Sequence, residues 1–251
     1  FLVQDKKTMR NSMLVILFCI PLLFMCSELH IGKIQDPGGY IKLYPSYFLS
    51  FDGQYYIGKN GEKFLYDPLK YSEDNPDLFD QIRDKYTGTR CLTNQNNPGT
   101  VRNESFFKYI YGKNKSEVEK NLVCVRWLPS TLNQGVLINK EAGCAKSLQE
   151  ISDILDKRPD LKKYLKVRIE GYNWRNIAGS NLLSMHSYGI AVDVCLDYSD
   201  YWRDHIGERY RYRNRVPKEI RQIFEQHGFI WAGTWYYYDT MHFEYRPELF
   251  Q

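Results

Sequence analysis

Two short segments decide how this chain folds: SMHSYGIAVD at residues 184–193 and DTMHFEY at residues 239–245. Each segment contains a histidine and an aspartate, side chains with which proteins bind metal ions and transfer protons. Together the two segments predict a metal site with a carboxylate base beside it.

A catalytic zinc ion typically takes three protein ligands from His, Asp or Glu and leaves its fourth position to water. His186, Asp193 and His242 match that count, and we predict them as zinc ligands. The residues around Asp193 alternate with a period of two, which predicts a strand that aims the carboxylate inward. Gly189 and Ala191 are small, as we expect where the backbone passes close to a metal or substrate.

Asp239 lies three residues before His242, in an aromatic run (residues 235–243) that predicts a strand or a tight turn. A carboxylate so near a metal ligand can take a proton from water and later pass it to a leaving amine. We therefore predict Asp239 as the catalytic base.

The pattern SxHxxGxAxD followed by DxxH resembles the VanY-like D-alanyl-D-alanine carboxypeptidases and L-alanyl-D-glutamate endopeptidases, zinc enzymes that cut bacterial cell-wall peptides. Two positions depart from the family pattern, because Ala232 replaces a glycine and Tyr237 replaces a histidine; both concern specificity more than catalysis. The resemblance extends to GYNWRNIAGS (171–180), SDYW (199–202), IFEQHGFIW (223–231) and HFEYRPE (242–248), and more weakly to NPG (97–99), YG (111–112) and VRWLP (125–129).

The resemblance assigns roles to six residues. It makes zinc ligands and a catalytic carboxylate of the residues predicted above: His186, Asp193, His242 and Asp239. Arg175 matches an arginine that holds substrate or stabilises the oxyanion, and Ser184 matches a serine of the same pocket. Simpler interpretations remain open, with Arg175 as a surface ion-pair partner and Ser184 as a helix cap or turn residue.

The N-terminus predicts export. Lys6, Lys7 and Arg10 precede an apolar run from Met13 to Cys26, which is typical of a signal peptide and short for a spanning helix. We expect residues 1–27 to be a signal peptide or an uncleaved short anchor that tethers the protein to the membrane. Either form places the rest of the chain in the periplasm or cell envelope.

Composition adds little to this prediction. The chain has 251 residues, a formal net charge of +4 and 21 tyrosines, all compatible with one sizeable globular domain and its appendages. No CxxC spacing is present, so a zinc ion held by cysteines is not expected. Four cysteines follow the export segment and allow three disulfide pairings that the sequence does not separate: Cys91, Cys124, Cys144 and Cys195.

Residues 28–120 are polar and rich in predicted turns. Asp52-Gly53 and Asn60-Gly61 predict turns between short strands at residues 54–57 and 63–66, and residues 76–86 and 105–111 predict short helices. We interpret this region as a loop-rich N-terminal extension, and the sequence indicates no role for it.

Residues 121–251 predict a catalytic domain of the α+β class. The predicted strands cover residues 123–127, 135–138, 165–172 and 229–231, and the predicted helices cover residues 144–165, with a break at Pro159, and the stretch from Pro217 to Gly228. We expect a small antiparallel sheet that carries the zinc site, with helices flanking it.

A basic stretch between residues 201 and 221 allows more than one interpretation. It interleaves tyrosines with cationic residues, and a solvated loop or a surface for anionic wall polymers would have this composition. An exported protein seldom meets nucleic acid, so no nucleic-acid partner is expected. The cationic residues are Arg203, Arg209, Arg211, Arg213, Arg215, Lys218 and Arg221.

The resemblance implies an exported zinc metallopeptidase that hydrolyses peptidoglycan stem peptides. The bond cut would be D-Ala-D-Ala, at a chain end, or L-Ala-D-Glu, inside the peptide. The alternative is a non-catalytic, zinc-containing wall-binding module. Asp239 argues against that alternative, because a structural zinc site has no use for a base. The sequence predicts no oligomeric state.

Overall fold

The computed structural model describes residues 35–95, 97–205 and 212–251, all of which belong to one compact unit. The predicted export segment at residues 1–27 lies outside these ranges, as do Arg209 and Arg211 of the basic stretch. Within the described ranges, no helix is long and apolar enough to cross a membrane.

Short helices and small antiparallel sheets make up the described residues, and the predicted α+β class is confirmed. The helices in these ranges are α1 (Tyr40–Leu43), α2 (Leu78–Arg83), α3 (Glu104–Tyr111), α4 (Lys115–Lys120), α5 (Cys144–Leu155) and α6 (Lys218–Gln226). The strands are β1 (Phe48–Phe51), β2 (Tyr55–Gly58), β3 (Lys63–Leu65), β4 (Leu122–Trp127), β5 (Gln134–Asn139), β6 (Ala191–Asp193), β7 (Phe229–Trp231) and β8 (His242–Tyr245).

The first sheet has the order β1-β2-β3 and is antiparallel. Its two connections are the predicted turns, where Gly53 and Gly61 have φ of 104° and 87°, a region that glycine adopts without strain. Aromatic rings join this sheet to the helices: the ring of Tyr40 in α1 lies 5.1 Å from that of Tyr56 and 5.4 Å from that of Phe106 in α3.

A second sheet, the β4–β5 hairpin, lies under α5. The helix begins at Cys144 as predicted but ends at Leu155, well before the predicted end at residue 165. Pro159 explains the difference, because a proline disfavours helical backbone in the residue before it and removes a helical hydrogen bond. Leu148, Ile151 and Leu155 form the buried face of α5.

The third sheet carries the predicted metal site and has the order β6-β8-β7, antiparallel throughout. Helix α6 follows Pro217 as predicted and packs on this sheet through Phe224, whose ring lies 4.2 Å from that of Phe243 in β8. The β6–β8 register places Asp193 directly opposite His242.

One predicted strand is wrong. Residues 165–172 form only an isolated bridge, between Glu170 and Asp193, although Leu165 and Ile169 are buried as a strand would require. The side-chain amide of Gln134 takes the place of a neighbouring strand, because it bonds both the backbone N–H and the carbonyl of Ile169. The run at residues 235–243, predicted as a strand or a tight turn, is mostly turn, and β8 begins at His242.

Candidate metal centre

Two strands and a turn bring the three predicted ligands together. His186, Asp193 and His242 each offer one ligand atom, and these atoms lie within 4.8 Å of one another. Asp193 ends β6 and His242 begins β8, so the strand register fixes their separation. His186 lies in the turn that precedes β6, where the Gly189 N–H donates to the His186 carbonyl at 3.0 Å. The site therefore depends on local folding between residues 184 and 193 and on one strand pair.

Gly189 is essential to this turn for a reason that differs from the prediction. Its φ is 67°, and a Cβ at this position would lie 2.7 Å from Cδ2 of Leu122 and 3.1 Å from the backbone nitrogen of Asn139. The Gly189 carbonyl accepts a hydrogen bond from that Asn139 N–H at 2.7 Å. The close approach is thus to the β4–β5 hairpin, not to a metal or substrate.

Hydrogen bonds on the outer side of both rings fix their orientation. His186 Nδ1 lies 2.7 Å from the Gly171 carbonyl oxygen, and His242 Nε2 lies 3.0 Å from Oε1 of Glu244. A carbonyl and an ionised carboxylate only accept hydrogen bonds, so both outer nitrogens carry the proton. The inner nitrogens, Nε2 of His186 and Nδ1 of His242, are then free to bind a metal.

The inner side of the site suits a cation. Nε2 of His186 and Nδ1 of His242 are 3.2 Å apart. Asp193 Oδ2 lies 3.3 Å from Nε2 of His186, and Asp193 Oδ1 lies 2.9 Å from Nδ1 of His242. With neutral rings these are three acceptors facing one another without a hydrogen between them. Two imidazoles and a carboxylate are also a common ligand set of catalytic zinc, so the residues fit the metal that the sequence predicts.

The electrostatics of the group agree with this conclusion. Although burial alone would raise the pKa of Asp193, hydrogen bonds from His186 and His242 hold it below its usual range. Burial lowers the pKa of His242, but its hydrogen bonds to Asp193 and Glu244 outweigh burial and raise that pKa to about 10. The site therefore retains positive charge strongly, whether as protons or as a metal ion.

The predicted base lies beside the ligands. Burial raises the pKa of Asp239 to about 6, and the charges of His242, Asp193 and His186 also act on this carboxylate. Its Oδ1 is buried and has no hydrogen-bond partner among the described residues. A buried carboxylate with a spare oxygen and a pKa close to neutrality can accept a proton and return it.

Two cavities adjoin at the ligand group. One, of about 330 Å³, is lined by Asp239 and His242 together with Arg102, Arg203 and several aromatic rings. The other, of about 310 Å³, is lined by His186 and Asp193. Arg175 lines both cavities. The rings that line the first cavity are Tyr201, Trp202, Trp235 and Tyr237.

The structure separates the roles predicted for Arg175 and Ser184. The Ser187 hydroxyl accepts a hydrogen bond from the Arg175 N–H at 2.8 Å and donates one to the Arg175 carbonyl at 2.6 Å. The side chain of Arg175 is exposed. Ser184 is buried, and its hydroxyl accepts from the His186 N–H at 3.3 Å. Ser184 is therefore a turn residue that also lines the larger cavity.

Sequence reasoning missed Glu244 and Arg102. Glu244 bonds the outer nitrogen of His242, and Arg102 Nη2 donates to the same Glu244 oxygen at 2.8 Å. A signal for Glu244 was present, because residues two apart in a strand share a face. Arg102 and Glu244 are 142 positions apart in the chain, so no local pattern indicates Arg102.

None of the four cysteines belongs to the candidate ligand group, whereas Arg203 of the basic stretch lines the larger cavity. The four cysteines in the described ranges form no disulfide: Cys144 and Cys195 are buried, Cys91 is partly buried and Cys124 is exposed. In the described part of the basic stretch, Arg215 pairs with Asp200 at 3.1 Å and Arg221 pairs with Glu225 at 3.4 Å. These arginines therefore have structural partners.

Residues 178–245 match the model of a protein family described as D-alanyl-D-alanine carboxypeptidase. The matched segment contains all three candidate ligands and Asp239, and the predicted family resemblance is confirmed there. It supports a peptidase that acts on peptidoglycan. Comparisons with curated proteins and with solved structures found no significant match.

Proposed function

We propose that this protein is an exported, zinc-dependent metallopeptidase that hydrolyses a peptide bond in peptidoglycan stem peptides. One observation carries the proposal: three converging acceptors, His186, Asp193 and His242, lie beside a buried carboxylate, Asp239, inside the segment that matches a peptidase family. Its place of action would be the periplasm or cell envelope, in keeping with the export segment predicted at residues 1–27.

His186 Nε2, His242 Nδ1 and a carboxylate oxygen of Asp193 would hold the zinc ion. When bound, zinc supplies a Lewis acid that lowers the pKa of water and polarises a peptide carbonyl. The outer acceptors, Gly171 and Glu244, keep the two rings in the orientation that binding requires. Because these contacts exist in the folded chain, little reorganisation accompanies metal binding.

Asp239 would act as general base and then as general acid. Its carboxylate, which lines the larger cavity, takes the proton of the attacking water and later passes it to the nitrogen of the leaving group. Arg175 would hold a substrate carboxylate or the developing oxyanion, because its exposed guanidinium lines both cavities next to the ligands.

The two cavities leave room for a substrate on both sides of the cut bond. Each cavity is about as large as the smaller ligand sites of proteins, about 300 Å³, and both are open to solvent. The family description favours the terminal D-Ala-D-Ala bond, and the cavities also admit a peptide cut at the internal L-Ala-D-Glu bond. Both bonds therefore belong to the proposed function.

Mass spectrometry of purified muropeptides tests the proposal. The full chain is loaded with zinc and incubated with muropeptides, and a chelated sample and the Asp239→Asn variant serve as controls. The expected result is zinc-dependent loss of one terminal alanine or release of a peptide that begins at D-Glu, and the product identifies the bond that is cut. No zinc-dependent change would contradict the proposal and favour a non-catalytic wall-binding module.

A further inference from the structure

A buried chain of alternating charges connects His242 to the N-terminal part of the protein. Glu244 accepts from Nε2 of His242 at 3.0 Å and from Nη2 of Arg102 at 2.8 Å. Its second oxygen lies 3.4 Å from Nη1 of Arg246, whose Nε donates to Glu248 at 2.6 Å. The chain ends at Tyr44, whose hydroxyl donates to Glu248 at 2.5 Å.

These charges are almost entirely removed from solvent. Glu244 is 1% exposed, Arg246 and Glu248 are 0% exposed, and the side chain of Arg102 is 8% exposed. Removing ions from water is costly, and an ion pair offsets that cost only with good geometry and further hydrogen bonds. Each carboxylate here is accordingly held by two donors or more, so its position is closely determined.

Arg102 is the member of this chain of charges that contacts Glu244 from upstream of the segment with the candidate metal ligands. It precedes α3, upstream of the residues that match the peptidase family. Its Nε donates to the Gly99 carbonyl at 2.9 Å, and the same carbonyl accepts from Nη1 of Arg246 at 3.1 Å. The loop from residue 97 to residue 103 therefore orients the guanidinium group on Glu244.

Glu244 has two other donors, but neither replaces Arg102. Arg246 approaches the other oxygen of Glu244 at the longer distance of 3.4 Å and is already bonded to Glu248. The remaining donor is His242 itself. One oxygen of Glu244 bonds His242. Among the described residues, Arg102 is the only partner of that oxygen from outside the metal site, so the oxygen loses this support without Arg102.

We propose that Arg102, acting through Glu244, is a positioning residue that fixes the His242 ring for metal binding. The N-terminal part of the chain thereby contributes to the metal centre, although it supplies no ligand. The inference rests on the proposed zinc site but not on the identity of the substrate. Loss of such outer-shell contacts typically lowers metal affinity about 10–100-fold.

The experiment compares zinc affinity in Arg102→Met and Arg83→Met, measured in the full chain by competition with a chromophoric chelator. Arg83 is a matched control, because it also lies in the N-terminal part and pairs with Asp84 at 3.0 Å, outside the buried chain. We expect R102M to bind zinc about 10–100-fold more weakly than R83M. Circular dichroism establishes that each variant is folded.

A spectroscopic readout separates positioning from general destabilisation. In the zinc-loaded protein, ¹⁵N spectra of the His242 ring report which nitrogen binds the metal and which carries the proton. We expect metal on Nδ1 and a proton fixed on Nε2 in the wild type and R83M, and a mixture of ring orientations in R102M. A folded R102M with the zinc affinity and ring spectrum of R83M would overturn the proposal.

Two further variants decide the case if R102M does not fold. Arg102→Lys keeps the charge, whereas Arg102→Gln keeps a hydrogen-bond donor without it. We expect R102K to retain most of the zinc affinity and R102Q to lose it. Equal zinc affinities of R102K and R102Q would contradict the proposal. If the wild type itself binds no zinc, the proposed zinc site fails, a result distinct from failure of Arg102 alone.

Discussion

At the scale of single residues, the site is defined by which nitrogen of each histidine faces inward. The Gly171 carbonyl and the Glu244 carboxylate hold the outer nitrogens, so Nε2 of His186 and Nδ1 of His242 face Asp193. Gly171 must be a glycine to serve this purpose, because a Cβ there would lie 2.7 Å from the Leu137 carbonyl oxygen. Residues that bind no metal thus determine how the ligands point.

Replacing Asp239 by Asn should separate catalysis from zinc binding. The amide cannot accept and return a proton, so we expect kcat to fall about 10²–10⁴-fold. Zinc affinity should change little, since Asp239 is not among the three converging ligands. Peptide hydrolysis and chelator competition measure the two effects. Asp160→Asn, at an exposed ion pair with Arg158, serves as the control, and unchanged hydrolysis in D239N would remove Asp239 from the mechanism.

The pKa of Asp239 also predicts how the rate depends on pH. Burial raises this pKa to about 6, so the carboxyl is protonated and inactive as a base below that pH and ionised above it. A cation bound beside Asp239 would lower this raised pKa. We therefore expect kcat/KM to rise with pH through a midpoint at or below 6, with zinc kept saturating at each pH. A midpoint clearly above 7 would assign the limb to another group.

The sequence predicted the candidate ligands, which the structure brings together, and the candidate base, but not the residues that contact them. The pattern SxHxxGxAxD carries its information locally, so four positions could be assigned without a structure. Glu244 could have been inferred from its place two residues after His242 in a strand. Arg102 could not, because its contact depends on how distant segments pack.

At the scale of elements, the alternation of apolar and polar residues predicted which residues are buried better than it predicted which residues pair in a sheet. Residues 165–169 alternate as a strand should, yet the Gln134 side chain bonds the Ile169 backbone, and the segment meets strands only at Glu170–Asp193 and Tyr172–Leu137. Alternation reports which face is buried, whereas a strand also requires a partner for its backbone. The hairpins at Gly53 and Gly61 were predicted correctly, since their turn residues are local signals.

Replacing Gly189 by Ala should destabilise the junction between the ligand turn and the β4–β5 hairpin. The alanine would have a φ of 67° and a Cβ 2.7 Å from Leu122, so we expect the free energy of unfolding to fall by about 1–3 kcal/mol. Gly61→Ala is the matched control, because Gly61 has a φ of 87° but open space around it. Chemical denaturation with chelator present measures both, and equal losses would contradict the close approach.

At the scale of the whole molecule, the N-terminal part is packed against the part that carries the ligands. Tyr86 N–H donates to the Leu249 carbonyl at 2.9 Å, Cys91 N–H to the Thr234 carbonyl at 2.7 Å, and Trp235 Nε1 to the Pro98 carbonyl at 2.7 Å. No local pattern indicates these contacts, because each joins residues more than a hundred positions apart. One buried hydrophobic cluster includes residues from both parts.

This packing predicts that zinc stabilises the whole described unit rather than the site alone. A ligand that binds only the folded state adds RT ln(1 + [L]/Kd), about 2.7 kcal/mol at a hundredfold excess over Kd. For a chain of this length each kcal/mol raises Tm by about 2–4 °C, so zinc should raise Tm by about 5–10 °C over the chelated protein. Calorimetry measures the shift, and a single transition should persist.

The matched control for this prediction is His186→Ala, which removes one ligand from the turn before β6. We expect zinc to leave the Tm of this variant almost unchanged, because two remaining ligands bind the metal weakly. An equal shift in H186A would mean that zinc binds elsewhere. A wild-type transition that splits in two on chelation would show that the N-terminal part unfolds independently of the metal centre.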